Sequence, residues 1–290
     1  MLHASNEVYV GRYFGQHDYD VTADAVRHYC ESVAEDESLF TERSPYDAPV
    51  APPLMFHSDV YAYNGWYLPH IYGNLHARQE WQFFAPIMVG EKVTTNSVVV
   101  DRYEKRDREY VVNEVNQFAE DGRPVLRGRT HQSFLIDKGR RDTVVDKSRE
   151  KRSDRRFDVG DGEVIEELAG PKKEITLEMC QEFSGPAKNY HNDVEAARAL
   201  GFPDIVVQGM MPLCFVADML AERFGSGLYV GGRMDIKLVN VLWQGETVRA
   251  RGVVQELLNE GEAQRAQLQV WCEKDDGTKV VVGSASALVP

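Results

Sequence analysis

Residues 78–93 read RQEWQFFAPIMVGEKV, and residues 233–248 read RMDIKLVNVLWQGETV. Laid over one another, they match Arg78 with Arg233, Gly90 with Gly245, Glu91 with Glu246 and Val93 with Val248, at an offset of 233 − 78 = 155 residues. The same offset sets Asp121, Gly122 and Gly128 of EDGRPVLRG over Asp276, Gly277 and Gly283 of DDGTKVVVG. Upstream, VTADAVRHY (21–29) lies over ITLEMCQEF (175–183) at an offset of 154. Blocks that recur in one order at one spacing mark a tandem duplication.

Each copy follows one plan. Thr22 and Thr176 stand where a helix N-cap belongs, ahead of short amphipathic segments. An irregular loop and an apolar helix come next. In the second copy that helix runs from about Gly209 to Phe224, apolar nearly all round, with Pro212 acceptable in its first turn. β-rich runs close each copy: ARQEWQFF, KVTTNSVVVDRYEK, REYVVNEVNQFAED and RPVLRGRTHQSFLI in the first; GRMDIKLV, TVRARGVVQELLN, EAQRAQLQVWCEKDD and TKVVVGSASALV in the second. Asp-Gly and Glu-Gly breaks separate them as hairpins. The economical packing is α+β: in each half an antiparallel sheet wraps around a central helix. The halves are 1–136 and 164–290, joined by the charged, apolar-poor stretch 137–163, which reads as a solvated linker.

The 290 residues are 43% hydrophobic and 27% charged, an ordinary globular balance. A net charge of −13 argues against nucleic acid as main partner, since phosphate binding needs a basic surface. No apolar run is long enough to span a bilayer, and the N-terminus has no signal-peptide pattern. Cys30, Cys180, Cys214 and Cys272 lie far apart and read as reduced core thiols of a cytoplasmic protein. His57, His70 and His76 lack metal-ligand spacing, so no metal site is expected. There is no nucleophile elbow, dinucleotide fingerprint or P-loop. The glycine-rich GSGLYVGGR (225–233) joins a helix to a strand, the reverse of a nucleotide-binding loop.

The loop before the second apolar helix reads FSGPAKNYHNDVEAARALGFPDIVVQGMM, followed by FGSG and NVLWQGETV. This resembles the MaoC-like (R)-specific enoyl-CoA hydratases, whose pattern runs close to F-S-G-D-x-N-P-[IL]-H-x-D, then G-F-x-x-I-x-H-G-M, F-G-x-G and x-x-G-[DE]-x-V. Residues 9–136, through VGRYFGQHDYDVTADAVRHY, APVAPPLMF and LHARQEWQFFAPIMVGEKV, resemble the degenerate FAS1-like N-terminal half of double-hotdog dehydratases. The resemblance implies a tandem (double) hotdog, with a structural and substrate-binding first half and the active site in the second.

It also implies an Asp–His dyad, five residues apart, that activates water for addition to a trans-2-enoyl thioester. A backbone N–H at the helix start would polarise the thioester carbonyl. His191 takes the place of the His, and Gly209 that of the oxyanion donor. Pro186 stands where the Asp belongs, Lys188 and Asn189 replace the usual Asn and Pro, and Gln208 stands where His is frequent. Three readings follow. Another carboxylate substitutes, from Asp193, Asp36 or Glu35. Alternatively His191 works alone, oriented by Asn189 or Tyr190. Or hydration has been lost, leaving a thioester-binding protein or a thioesterase or other lyase. Asp193 is also a natural cap for the helix beginning at DVEAARALG.

In the first copy SVAEDESLFTE replaces the catalytic loop and has no His; its helix region carries Tyr61, Tyr63, Trp66, Tyr67 and Tyr72, as core filling or as the lining of a roomy acyl pocket. The expectation is a hydratase or dehydratase acting on an α,β-unsaturated acyl-CoA. His191, Gly209 and Asp193 would be catalytic, with Asn189, Tyr190, Gln208, Pro186, Tyr63 and Trp66 against substrate. It would need no cofactor beyond the substrate's CoA; for the linker the solvated reading is preferred to the alternative, in which its arginines help hold CoA phosphates. A homodimer is compatible with the fold, and no membrane partner is expected.

Overall fold

The structure is a computed structural model that describes residues 8–63, 65–67, 74–136 and 163–290. The linker stretch (apart from residue 163), His70 and Tyr72 lie outside the described residues.

The first half contains β1 (Tyr13–Asp20), α1 (Ala23–Ser32), α2 (Asp59–Ala62), β2 (Leu75–Phe83), β3 (Lys92–Lys105), β4 (Arg108–Ala119) and β5 (Pro124–Leu135). The second contains β6 (Glu166–Glu174), α3 (Leu177–Ser184), α4 (Val194–Ala199), α5 (Met210–Phe224), α6 (Ser226–Tyr229), β7 (Arg233–Leu238), β8 (Thr247–Glu260), β9 (Ala263–Lys274) and β10 (Lys279–Val289). All ten strands join one sheet in the order β1-β3-β4-β5-β2-β7-β10-β9-β8-β6, which reads alike from either edge in terms of the repeat. The halves meet where β2 pairs antiparallel with β7, Trp81 opposite Met234. Arg78 forks onto Asp235 at 2.6 and 2.5 Å across this seam, a bidentate pair that fixes register.

The repeated residues have a shared physical cause. Gly90 and Gly245 adopt positive φ, +99° and +84°, where a side chain is strained. The following glutamates fold back, Glu91 accepting from Met88 N–H at 2.6 Å and Glu246 from Trp243 N–H at 2.9 Å. These turns then clamp the residue just ahead of each N-cap. Gly90 N–H donates to the Val21 carbonyl and Gly245 N–H to that of Ile175, both at 2.7 Å. Thr22 and Thr176 cap α1 and α3 as expected, each accepting an N–H at 3.1 Å.

Two expectations need correction. Each half begins with a strand that the pattern reading passed over, β1 and β6. Both are sheet edges, where one flank faces solvent and polar residues are tolerated, so YFGQHDYD and EELAGPKKE carry no clean alternation. Pro171 sits in β6 at a register shift, as edge strands allow. The second correction concerns the central helix. In the second half α5 packs against β6, β8, β9 and β10 with thirteen of its fifteen residues buried. In the first half the corresponding described helix is the single turn α2. Aromatic side chains, including fully packed Tyr63 and Trp66, fill that core instead.

Candidate functional site

The site forms where the loop before α5 meets the seam between the halves. The loop is braced internally. Asn189 donates its amide to the carbonyls of Ser184 and Ala187, both at 2.9 Å, and its Oδ1 accepts from His191 N–H at 2.8 Å. Asn192 donates to the same two carbonyls at 3.0 Å. His57, from the first half, stacks on Phe183 at 4.1 Å between ring centroids and supports the loop from below. Asn189 is thus a scaffold of the loop, and its polar atoms are committed to it.

This bracing sets the His191 ring. Its Nδ1–H donates to the Val206 carbonyl at 2.7 Å, and the Tyr190 ring lies against it at 3.9 Å. The tautomer therefore leaves Nε2 as an unprotonated acceptor. Burial pushes the imidazole pKa down to about 4, with the Val206 carbonyl opposing. At neutral pH His191 is an uncharged base. Three residues after Val206 comes Gly209, the N-cap of α5, whose N–H meets no acceptor among the described residues. A Cβ on Gly209 would come within 2.4 Å of Leu238 Cδ2. Beside it, the buried Oε1 of Gln208 has no partner among the described residues.

The expected carboxylates are engaged elsewhere. Asp193 caps α4 through Ala196 N–H at 2.9 Å and pairs with Lys188 at 2.9 Å, and these contacts lower its pKa. With Pro186 and Lys188 it lines an outer hollow, alongside His28 and Glu182, to which His191 does not contribute. Asp36 accepts from Ser38 and Arg43, and Glu35 pairs with Lys173 at 2.6 Å. Asp193 thus reads as a cap. Asp193→Ala is expected to lower Tm by about 3 °C, whereas Asp193→Asn, still able to cap, holds it near the parent value in a thermal melt.

Of the aromatic segment, Tyr63 and Trp66 are core residues. Tyr63 bonds Thr95 at 2.6 Å, and the Trp66 indole N–H donates to the Val60 carbonyl at 3.0 Å. Their neighbours Tyr61 and Tyr67 pack against the same core, the Tyr67 ring 4.5 Å from that of Trp66 and 5.9 Å from that of Phe134. Both feel the Tyr190 phenol, and burial raises both pKa values. Tyr61 also reaches His76, its hydroxyl 3.4 Å from Nδ1. A Cβ on Gly209 would stand 3.7 Å from that same nitrogen. His76 therefore belongs at the site. Sequence reading missed it because strand alternation assigns it to the solvent face with Arg78 and Glu80. The register shift between His76 and Arg78 turns it onto the Gln79 face.

Among its described residues the first half has no matching site. Val50 bridges Met88 as Val206 bridges Trp243, and Val50 N–H donates to Phe40 as Val206 N–H does to Tyr190. Counting from these pairs, Thr41 stands for His191 and Pro53 for Gly209. Pro53 has no N–H to offer a substrate oxygen.

Comparison with known proteins agrees with this architecture. Residues 8–127 match the family model described as FAS1-like, dehydratase domain region. A tomato (Solanum lycopersicum) protein, 3-hydroxyacyl-[acyl-carrier-protein] dehydratase FERN, mitochondrial, is 29% identical over 104 residues, 36% of this chain. That match spans 62% of the relative, less than two thirds of its length. A solved MaoC-like dehydratase superposes with a TM-score of 0.71 at 18% identity, covering 98% of this chain and 99% of its own. A conserved hypothetical protein from Mycobacterium tuberculosis, described as having a double hotdog fold, gives 0.65 at 12% identity over 97% and 96%. These structural likenesses establish the fold as a double hotdog.

Proposed function

We propose that this chain is a dehydratase of the MaoC-like hotdog family, which its similarities support, and that it reversibly adds water to the double bond of an α,β-unsaturated acyl-CoA. The observation that carries this reading is the His191 tautomer. Its Nδ1–H is tied to Val206, so Nε2 keeps a neutral lone pair, and the segment that holds the ring leads three residues on to the unengaged Gly209 N–H at the start of a buried helix. Hydration needs those two elements, a base for water and a dipole for the developing oxyanion.

In the forward direction the water oxygen bonds to the β-carbon while its proton passes to His191 Nε2. The double-bond electrons move onto the thioester oxygen, where Gly209 N–H and the α5 dipole stabilise them. The same proton then passes from Nε2 to the α-carbon as the electrons return. One base thus serves both steps, and CoA enters only as part of the substrate. Tyr190, Tyr61 and Tyr67 border the acyl end, and Gln208 Oε1 offers an acceptor for a substrate polar group.

The test is loss of enoyl-thioester absorbance when the purified chain meets crotonyl-CoA and a bulky aromatic enoyl-CoA. Hydroxyacyl-CoA formation is the expected result. Release of free thiol would mean a thioesterase, and saturable binding without turnover would mean a binding protein. The cytoplasmic location is part of the same proposal, which cell fractionation tests against the mitochondrial designation of the tomato relative. So is a homodimer, which sedimentation tests.

A further inference from the structure

We propose that His76, carried by the N-terminal half, is a second catalytic residue of this site: its Nδ1 accepts a hydrogen bond from the attacking water, a role open because residue 186 is Pro186. The inference rests on the hydratase reading above.

The ring is held for such a task. Its Nε2–H donates to Gln79 Oε1 at 3.1 Å, and the Thr130 hydroxyl donates to the same oxygen at 2.7 Å. Gln79 is fully buried, so the tautomer is fixed with the lone pair on Nδ1. That nitrogen lies at the start of α5, 3.7 Å from the Cβ position of Gly209. Its contact to the Tyr61 hydroxyl is 3.4 Å, long for an O–H to nitrogen bond, and leaves it weakly satisfied. Buried core groups are normally paired better than this.

The repeat gives an independent argument. β2 starts three residues before Arg78, whereas its counterpart β7 starts at Arg233, the match of Arg78, and the register shift that turns His76 inward lies in that extension. The bulge occurs in the strand whose start borders the helix with a free N–H. The kink sits in a stretch of strand that only one copy has, and bulges that re-aim a side chain are over-represented next to sites. Two neutral imidazoles, one from each half, then hold the two hydrogens of a single water. His191 removes one proton and later returns it to the α-carbon. His76 keeps its hydrogen bond throughout and aims the oxygen, so no further proton donor is required.

The experiment compares the unmodified chain with His76→Gln on crotonyl-CoA, with circular dichroism and melting as folding controls. The variant is expected to fold and to lose about 100-fold in kcat with KM within about threefold. A folded variant retaining a third or more of kcat overturns the role of His76 while leaving the hydratase reading intact. No hydration by the unmodified chain overturns both. Should His76→Gln fail to fold, 15N-histidine NMR of the unmodified chain decides. Adding 3-hydroxybutyryl-CoA should shift the unprotonated His76 Nδ1 resonance, and an unmoved resonance overturns the proposal.

Discussion

His191→Ala should lower kcat for crotonyl-CoA by about a thousandfold, within the range that a positioned general base contributes. In the proposed cycle one nitrogen takes the water proton and returns it, so no nearby group inherits the task. Asp193, Asp36 and Glu35 each have carboxylate contacts elsewhere. His191→Gln should be as slow as the alanine variant although it can keep a bond to the Val206 carbonyl, because an amide is not a base. The pH profile carries a second part of the expectation. Burial holds the imidazole at about 4, so the free base is already the dominant form at pH 6. The rate should stay flat from pH 8 through 6 and fall only as pH approaches 4, whereas a solvated histidine would show its limb near about 6.5. Steady-state rates across that range, with the variants alongside, read both. A limb near 6.5, or a variant within tenfold of the parent, would remove His191 from the base role.

The duplication was legible because its signals are local. Asp-Gly turns, Gly-Glu turns and Thr caps act through contacts within a few residues, so the sequence carries them whole. Gly209 was legible for a similar reason, through the helix it opens. Pro186, expected against substrate, lines the outer hollow, to which His191 does not contribute. His76 was hidden because a bulge shifts parity by one residue, and the long-range pairing with β5 that creates it has no short motif. The aromatic segment divided in a way periodicity cannot show. Tyr63 and Trp66 found internal partners at Thr95 and Val60, while Tyr61, in the single turn of α2, and Tyr67, beyond it, came near Tyr190. That the described residues of this segment form a helix of one turn was equally unreadable, since an apolar aromatic run fits a packed loop as well as a helix.

Asp218→Asn is expected to stabilise the fold increasingly as pH rises, by on the order of 4 kcal/mol at pH 7. Asp218 lies on α5, 1% exposed, its two oxygens 2.9 and 3.1 Å from the Tyr29 hydroxyl, which donates to them. Burial pushes its carboxyl pKa up to about 8, while Lys173 pulls the other way. Lys173 cannot neutralise it fully because its ammonium is spent on Glu35 at 2.6 Å and the Val33 carbonyl at 2.8 Å. The native state therefore keeps a proton that the unfolded chain, titrating near about 3.9, releases. For an acid raised in this direction the contribution is fully favourable below the unfolded value and is lost as pH climbs through the folded one. Asparagine stays neutral and can still accept from Tyr29. The stability difference between variant and parent should thus be near zero at pH 4 and grow by about 1.4 kcal/mol per pH unit up to pH 8. Burial holds His57, His76 and His191 near 4, so all three erode stability on the acid side. They do so equally in both proteins and cancel from the difference. Urea unfolding of the pair at pH 5, 6, 7 and 8, with m checked for constancy, gives the slope directly. A difference that does not change with pH would show that Asp218 is ionised in the fold, with Lys173 as its true partner.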